Sequence, residues 1–337
     1  MWERDAGTGN EICSEMGEGE HVSVTATLLL LSPEPLIDLF LGPLVEMAPL
    51  HLRVVVQGRE QYDVPLIDYL LSFRPPKGFV ASLLNLKVVF SMGAGVDAFL
   101  ADPDFPRHVP LVRLIDPTLS RDMTEYAVLQ ILMQHRQQRF YDAAQHERVW
   151  RQSIPARRTE STRIGIMGLG EIGTFMGTRL RDLGFAVAGW SMNRKRVDGI
   201  ESFAGPAELR EFLARSDFLV CVLPLTPGTR GILNRETFAM LPRGAFVINT
   251  ARGEHLVEAD LIAALDLSHL SGAALDVFGT EPLPATSPLW RHPKIVVTPH
   301  IAALSDPRAV ARNVVDGIAR LERGEPLLHV VNPARGY

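Results

Sequence analysis

Arg163-Ile164-Gly165-Ile166-Met167-Gly168-Leu169-Gly170-Glu171-Ile172-Gly173 is the stretch that decides how this chain is read. Its first five residues form an apolar run of the kind that builds a buried strand. Gly168, Gly170 and Gly173 then fall at the spacing GxGxxG. Beyond them Ile172, Phe175, Met176, Leu180 and Leu183 share one helical face, and Gly184 stands where a helix C-terminal cap belongs. Phe185-Ala186-Val187-Ala188-Gly189-Trp190 follows as a second strand. Glycines in such a βαβ unit let the backbone approach a pyrophosphate, and the helix N-terminus faces its negative charge. A glycine hexamer alone is a weak sign, because simple turns also carry it. The flanking strands and helix make dinucleotide binding the expectation.

Composition bounds the rest. At 337 residues the chain suits two domains, and 46% hydrophobic with 22% charged residues is an ordinary globular balance. A net charge of −5 and a pI near 6.1 argue against a nucleic-acid surface. No apolar run approaches the roughly 20 residues of a membrane span. Residues 1–21 hold six acids and one arginine with almost nothing to bury, so a disordered or expression-related extension is expected there, not a secretory signal. Cys13 and Cys221 make neither a disulfide framework nor a metal cluster. A reducing compartment, by default the cytoplasm, is expected, with no metal site.

Strand-like and helix-like segments alternate along the chain. Strands are predicted at Ala26–Leu31, Leu52–Val56, Tyr69–Phe73 and Val88–Phe90, with a helix at Glu34–Ala48. After the glycine unit come strands at Asp217–Leu223, Ala245–Asn249, Gly272–Asp276 and Ile295–Thr298, and helices at Ala259–Ala264 and Pro307–Arg323. One long helix is predicted from about Ser120 through Arg139 and on toward Trp150. This is an α/β pattern of two Rossmann-like domains, each a doubly wound parallel sheet, with a cleft between them. The expected division is 22–117 plus 304–337 for a substrate (catalytic) domain and 118–303 for the dinucleotide-binding domain. The last helix is expected to cross back onto the first domain.

Arg252, Glu281 and His300 each lie just past a predicted strand end, where ligands bind in open α/β sheets. Singly, each has a plainer explanation: a surface arginine, a loop glutamate, a helix-capping histidine. Together they supply what carbonyl reduction by a nicotinamide needs. His300 as imidazolium would protonate the developing oxyanion, and Glu281 would hold its ring and favour its charged form. Arg252 would offer a donor fork to a carboxylate and the adjacent carbonyl oxygen. Cofactor choice is read from Ser191, 18 residues past Gly173, where an enzyme using NAD carries an acid. Arg194-Lys195-Arg196 follows it, so NADP(H) is expected over NAD; the competing reading is a solvated basic loop.

These residues carry a resemblance. The chain is similar, over about residues 25–337, to the D-isomer-specific 2-hydroxyacid dehydrogenase family. The likeness rests on Gly93-Ala94-Gly95-Val96-Asp97, Glu125-Tyr126-Ala127-Val128, Gly168–Gly173, Asn249–Gly253, Asp276–Leu283 and Thr298-Pro299-His300. Within the family, Phe73-Arg74-Pro75-Pro76, Trp190-Ser191, Ser287-Pro288-Leu289-Trp290 and Ala334-Arg335-Gly336-Tyr337 resemble the glyoxylate/hydroxypyruvate reductase A branch. The resemblance implies Arg252, Glu281 and His300 as the catalytic set. It implies a small 2-keto acid substrate, glyoxylate or hydroxypyruvate, held by backbone amides at Ala94 and Gly95, with Phe73 beside it where the branch can carry tryptophan. It implies a dinucleotide held by Gly168, Gly170, Glu171, Ile172, Gly173, Ser191, Arg194, Lys195, Leu223, Pro224, Thr229, Thr250, Ala251 and Asp276. It further implies a homodimer formed through the long-helix region. A reductase of larger 2-keto acids such as phenylpyruvate stays open, as does a dinucleotide-sensing corepressor.

Overall fold

In a computed structural model the chain is described over residues 24–153 and 157–333. The expectations for residues 1–21 and for Ala334–Tyr337 lie outside the described residues. The first sheet is built from β1 (Ala26–Leu31), α1 (Glu34–Met47), β2 (Leu52–Val56), β3 (Tyr69–Ser72), β4 (Val88–Ser91), α2 (Asp97–Leu100) and β5 (Leu111–Val112). Its strands run parallel in the order β2-β1-β3-β4-β5. Both faces are covered, which is why Leu28-Leu29-Leu30 and Val88-Val89-Phe90 are unbroken apolar runs with no exposed surface.

The connecting helix differs from its prediction. α3 (Pro117–His135) begins earlier than expected, with the Asp116 carboxylate accepting from Thr118 N at 2.9 Å and Pro117 in the first turn. It then stops. Gln137 takes a left-handed conformation at φ 56, and α4 (Gln138–His146) starts afresh in a new direction. The predicted single helix through Arg139 is therefore two.

The second sheet comprises β6 (Arg163–Met167), α5 (Glu171–Asp182), β7 (Ala186–Ser191), β8 (Glu201–Ala204), α6 (Gly205–Ala214), β9 (Phe218–Cys221), α7 (Arg235–Met240), β10 (Ala245–Asn249), α8 (Glu258–Asp266), β11 (Leu270–Leu275) and β12 (Ile295–Val297). The order is β12-β11-β10-β9-β6-β7-β8, again all parallel. Chain order reverses between β6 and β9, and such a switch point opens a crevice at the carboxyl ends of the strands. The final helix α9 (Pro307–Glu322) returns to the first sheet. Val310, Ala311, Val314 and Ile318 join its core beside Ile37, Phe40 and Leu44. Both sheets are thus Rossmann-like. No described helix is long and apolar enough to cross a membrane.

Candidate active site

The glycine turn occupies the switch point, and its three glycines have three separate reasons. Gly168 has φ +113, and a Cβ there would stand 2.9 Å from Val222 O at the exit of β9. A Cβ on Gly173 would stand 1.8 Å from Gly168 O, so only glycine lets α5 start this close to β6. Around Gly170 there is open space, with nothing within 4 Å of a Cβ. That space lies at the N-terminus of α5, whose first backbone N–H groups lack helical partners, an arrangement suited to a pyrophosphate. The loop after β9 is fixed from within: Thr229 Oγ1 donates to Pro224 O at 2.7 Å, and Thr250 Oγ1 to Cys221 O at 3.4 Å. Thr229, Thr250 and Ala251 are buried, so they shape the crevice without offering it free polar groups. Leu223, also buried, joins the core beneath it. Burial pushes the Cys221 thiol up to about 12.

Three of the predicted residues gather at the ends of β10, β11 and β12. The Nδ1 of His300 lies 2.9 Å from Glu281 Oε2. Because a carboxylate only accepts, Nδ1 carries the proton and Nε2 remains for a ligand. Glu281 Oε1 accepts from Phe278 N at 3.0 Å. Burial opposes the charge on Glu281, but the His300 ring N–H, the Phe278 amide and the nearby Arg74 outweigh it and hold the carboxyl below its usual range. His300 itself has φ 57, a left-handed conformation that is costly for a non-glycine residue and is found where surroundings impose it.

Asp276 imposes it. Expected to line the dinucleotide crevice, Asp276 is only 1% exposed and its carboxylate turns into the loop that carries His300. It accepts from Thr298 Oγ1 at 2.6 Å, Ile301 N at 2.9 Å and Ala302 N at 2.8 Å, while its carbonyl accepts from His300 N at 2.8 Å. Tyr126 on α3 donates its hydroxyl to Thr298 Oγ1 at 2.8 Å, tying that helix to the same loop.

Arg252 follows β10 and reaches the other sheet. Its Nε donates to Asp97 Oδ1 on α2 at 2.9 Å, and its Nη1 to Ala251 O at 2.7 Å. The Nη2 edge is left lying on Gly95, where a Cβ would come within 1.7 Å of it. Among the described residues, nothing accepts from the Ala94 or Gly95 N–H. A guanidinium edge and two unspent amides therefore converge on one loop, a suitable cradle for a carboxylate. Phe73 packs over the same loop, its Cε2 3.0 Å from where a Cβ on Gly93 would be. Behind Arg252 sits a residue missed in the sequence. His255 has no exposed surface; its Nδ1 accepts from Arg252 N and its Nε2 donates to Pro224 O, both at 3.2 Å. Burial is the main reason its pKa falls, and the neutral ring links the Arg252 loop to the crevice loop.

At the end of β7, Ser191 Oγ donates to Asn193 O at 2.8 Å. Arg194, expected to face a ligand, is engaged by Glu208 of α6 and by Ser202 O. That acid lies in the next helix, and its pairing could not be read from the basic run alone. Lys195 and Arg196 are exposed and have no ion-pair partner among the described residues. No cluster of His, Cys, Asp or Glu suited to a metal occurs among the described residues.

Comparison with known proteins fits this geometry. Residues 128–302 match the model of the D-isomer specific 2-hydroxyacid dehydrogenase NAD binding domain. A Yersinia enterocolitica protein called glyoxylate/hydroxypyruvate reductase A is 41% identical over 280 residues, 82% of this chain and 89% of that protein. A Salmonella heidelberg protein of the same name is 44% identical over 275 residues, 80% and 88% of the two chains. Among solved structures, a D-isomer specific 2-hydroxyacid dehydrogenase from Xanthobacter autotrophicus in complex with NADPH superposes with a TM-score of 0.86 at 41% identity, covering 93% of this chain and 99% of that one. An NADPH-dependent glyoxylate/hydroxypyruvate reductase from Sinorhizobium meliloti in complex with NADP and sulfate gives 0.86 at 38% identity, covering 93% and 100%.

Proposed function

This chain belongs to the D-isomer specific 2-hydroxyacid dehydrogenase family, and from that premise we propose that it reduces small 2-keto acids with NADPH, glyoxylate to glycolate and hydroxypyruvate to D-glycerate. The observation that carries the proposal is the pairing of His300 with Glu281 at 2.9 Å at the strand ends that also present Arg252. Gly168, Gly170, Glu171, Ile172 and Gly173 would hold the dinucleotide's pyrophosphate, a role supported by the open space over Gly170. When bound, the reduced nicotinamide supplies a hydride to the keto carbon. Everything else is done by side chains and amides of this protein.

The Ala94 and Gly95 amides and the Nη2 edge of Arg252 take the substrate carboxylate, and Phe73 walls its side. As the keto oxygen gains negative charge, His300 Nε2 donates a proton to it. Glu281 keeps Nδ1 protonated and the ring oriented, and its low-lying carboxyl stays charged while this happens. Asp276 acts from below by fixing the loop, a role supported by its three accepted bonds. NADPH is favoured because Ser191 replaces the acid that would repel a 2′-phosphate, and Lys195 and Arg196 are exposed to meet one.

Residues 22–117 with 304–337 form the substrate side in this reading, and 118–303 the dinucleotide side. The protein acts as a homodimer through the α3–α4 face. That is supported by Leu129 of α3 at 52% and Trp150, just after α4, at 91% exposed. A chain with two cysteines, one a buried free thiol, suits the reducing cytoplasm. The catalytic assignment is tested with His300→Ala. Steady-state turnover of glyoxylate should fall on the order of 10²–10⁴-fold, the worth of a positioned acid, while NADPH binding by fluorescence titration stays within about twofold. Unchanged turnover would remove His300 as the proton donor.

A further inference from the structure

Arg74 lies just past β3 on the first sheet, and nothing in the reaction above uses it. Its Nη1 is 3.7 Å from Glu281 Oε2, the oxygen that also meets His300 Nδ1. Its guanidinium carbon stands 5.4 Å from the centre of the Phe73 ring, a cation–π contact that aims the side chain across the cleft. Arg74 makes no hydrogen bond among the described residues, so this ion pair and the ring are what place it. Arg74 and Glu281 belong to different sheets, so the pair spans the cleft between them. A second ion pair crosses the same cleft with the opposite polarity, from Asp97 of the first sheet to Arg252 of the second, at 2.9 Å. Arg252 and Glu281 of the second sheet are thus each met by an opposite charge from the first.

We propose that Arg74 is a positioning residue for the His300–Glu281 pair: reaching across the cleft, its guanidinium holds the Glu281 carboxylate charged and directed at the ring. The proposal rests on the reductase reading of the site. The groups facing the Glu281 carboxyl are the His300 ring, the Phe278 amide and Arg74. Of these only Arg74 comes from the first sheet, so only its contribution crosses the cleft. Its worth is modest, because the Arg74 side chain is 46% exposed and screened.

The test compares wild type, Arg74→Gln and Arg74→Lys in kcat/KM against pH, with NADPH and glyoxylate. Removing a nearby cation makes a carboxyl easier to protonate, so the acid limb of Arg74→Gln should move to higher pH, by roughly half a unit. Its kcat at neutral pH should fall by roughly threefold, with NADPH affinity within about twofold. Arg74→Lys keeps the charge and should return the limb toward its wild-type place. An acid limb that does not move overturns the proposal. So does a loss confined to 2-keto acids bearing a second anionic group, which would make Arg74 a direct substrate contact. Should wild type reduce no 2-keto acid, the reductase reading fails on its own. A ¹³C-carboxyl NMR titration of Glu281 in wild type and Arg74→Gln then decides the Arg74 claim, with equal titration counting against it.

Discussion

Gly95 shows how much of this site depends on an atom that is not there. A Cβ at this position would lie 1.7 Å from Arg252 Nη2, so alanine must push the guanidinium away from the loop that presents the free amides. The obstructing group is the end of a flexible side chain, so the fold should tolerate the change while the site does not. Gly95→Ala should lower kcat/KM for glyoxylate on the order of 10²-fold, as expected for a reacting group displaced by about 1 Å, with the melting temperature nearly unchanged. An unaffected kcat/KM would mean that Arg252 does not need this seat. At the same scale, the sequence exposed some roles and hid others. Arg252, Glu281 and His300 stand at strand ends, and strand ends can be found from apolar periodicity. Asp97 and Arg252 are 155 residues apart, and no spacing rule pairs them. Asp276 is named only through the family resemblance, and its three internal donors could not be read from the sequence.

Elements follow the sequence where the local signal and the tertiary demand agree. The β6–turn–α5 unit is such a case: its bounds and its cap at Gly184 match the periodicity, and Met176 and Leu180 are buried as expected, while Leu183 at the end of the face is exposed. The junction is also tight. Gly173→Ala would set a Cβ 1.8 Å from Gly168 O, a backbone atom that cannot step aside. Overpacking of this kind costs about 1–3 kcal/mol. Thermal unfolding should show a melting point lowered by several degrees together with weakened NADPH binding; wild-type values for both would contradict the packing role. The helix after β5 is the opposite case. Residues 132–146 favour helix throughout, with no glycine or proline to stop it, yet Gln137 turns left-handed and α4 sets off anew. Ser153 Oγ donates to Gln137 Oε1 at 2.6 Å, and Tyr141 holds Ser153 by both its N–H and its carbonyl. The break is therefore secured by residues that come after it, and propensity within the helix could not reveal it. Short edge elements such as β5 and β8 were missed for a related reason: two to four residues carry too little period to read.

At the scale of the whole molecule, two parallel sheets face one another across a cleft that charged pairs bridge, while Leu129 of α3 and Trp150 just past α4 are left exposed. In the proposed homodimer, Trp150 and Leu129 would lie in the interface. Sedimentation velocity should give a dimer for wild type and a folded monomer for Trp150→Glu combined with Leu129→Glu; a wild-type monomer would discard the interface. The central claim concerns the reaction itself. In the proposed reading, the glycine turn would bind the dinucleotide, Arg252, Glu281 and His300 would carry the reduction, and Ser191 with Lys195 and Arg196 would select NADPH. The most direct measurement is steady-state kcat/KM for glyoxylate and for hydroxypyruvate with NADPH and with NADH. One or two charge-assisted contacts to a 2′-phosphate are worth about 1.5–3 kcal/mol each, so NADPH should be preferred at least about tenfold with both substrates. Equal efficiency with NADH, or no turnover of either acid, would contradict the account.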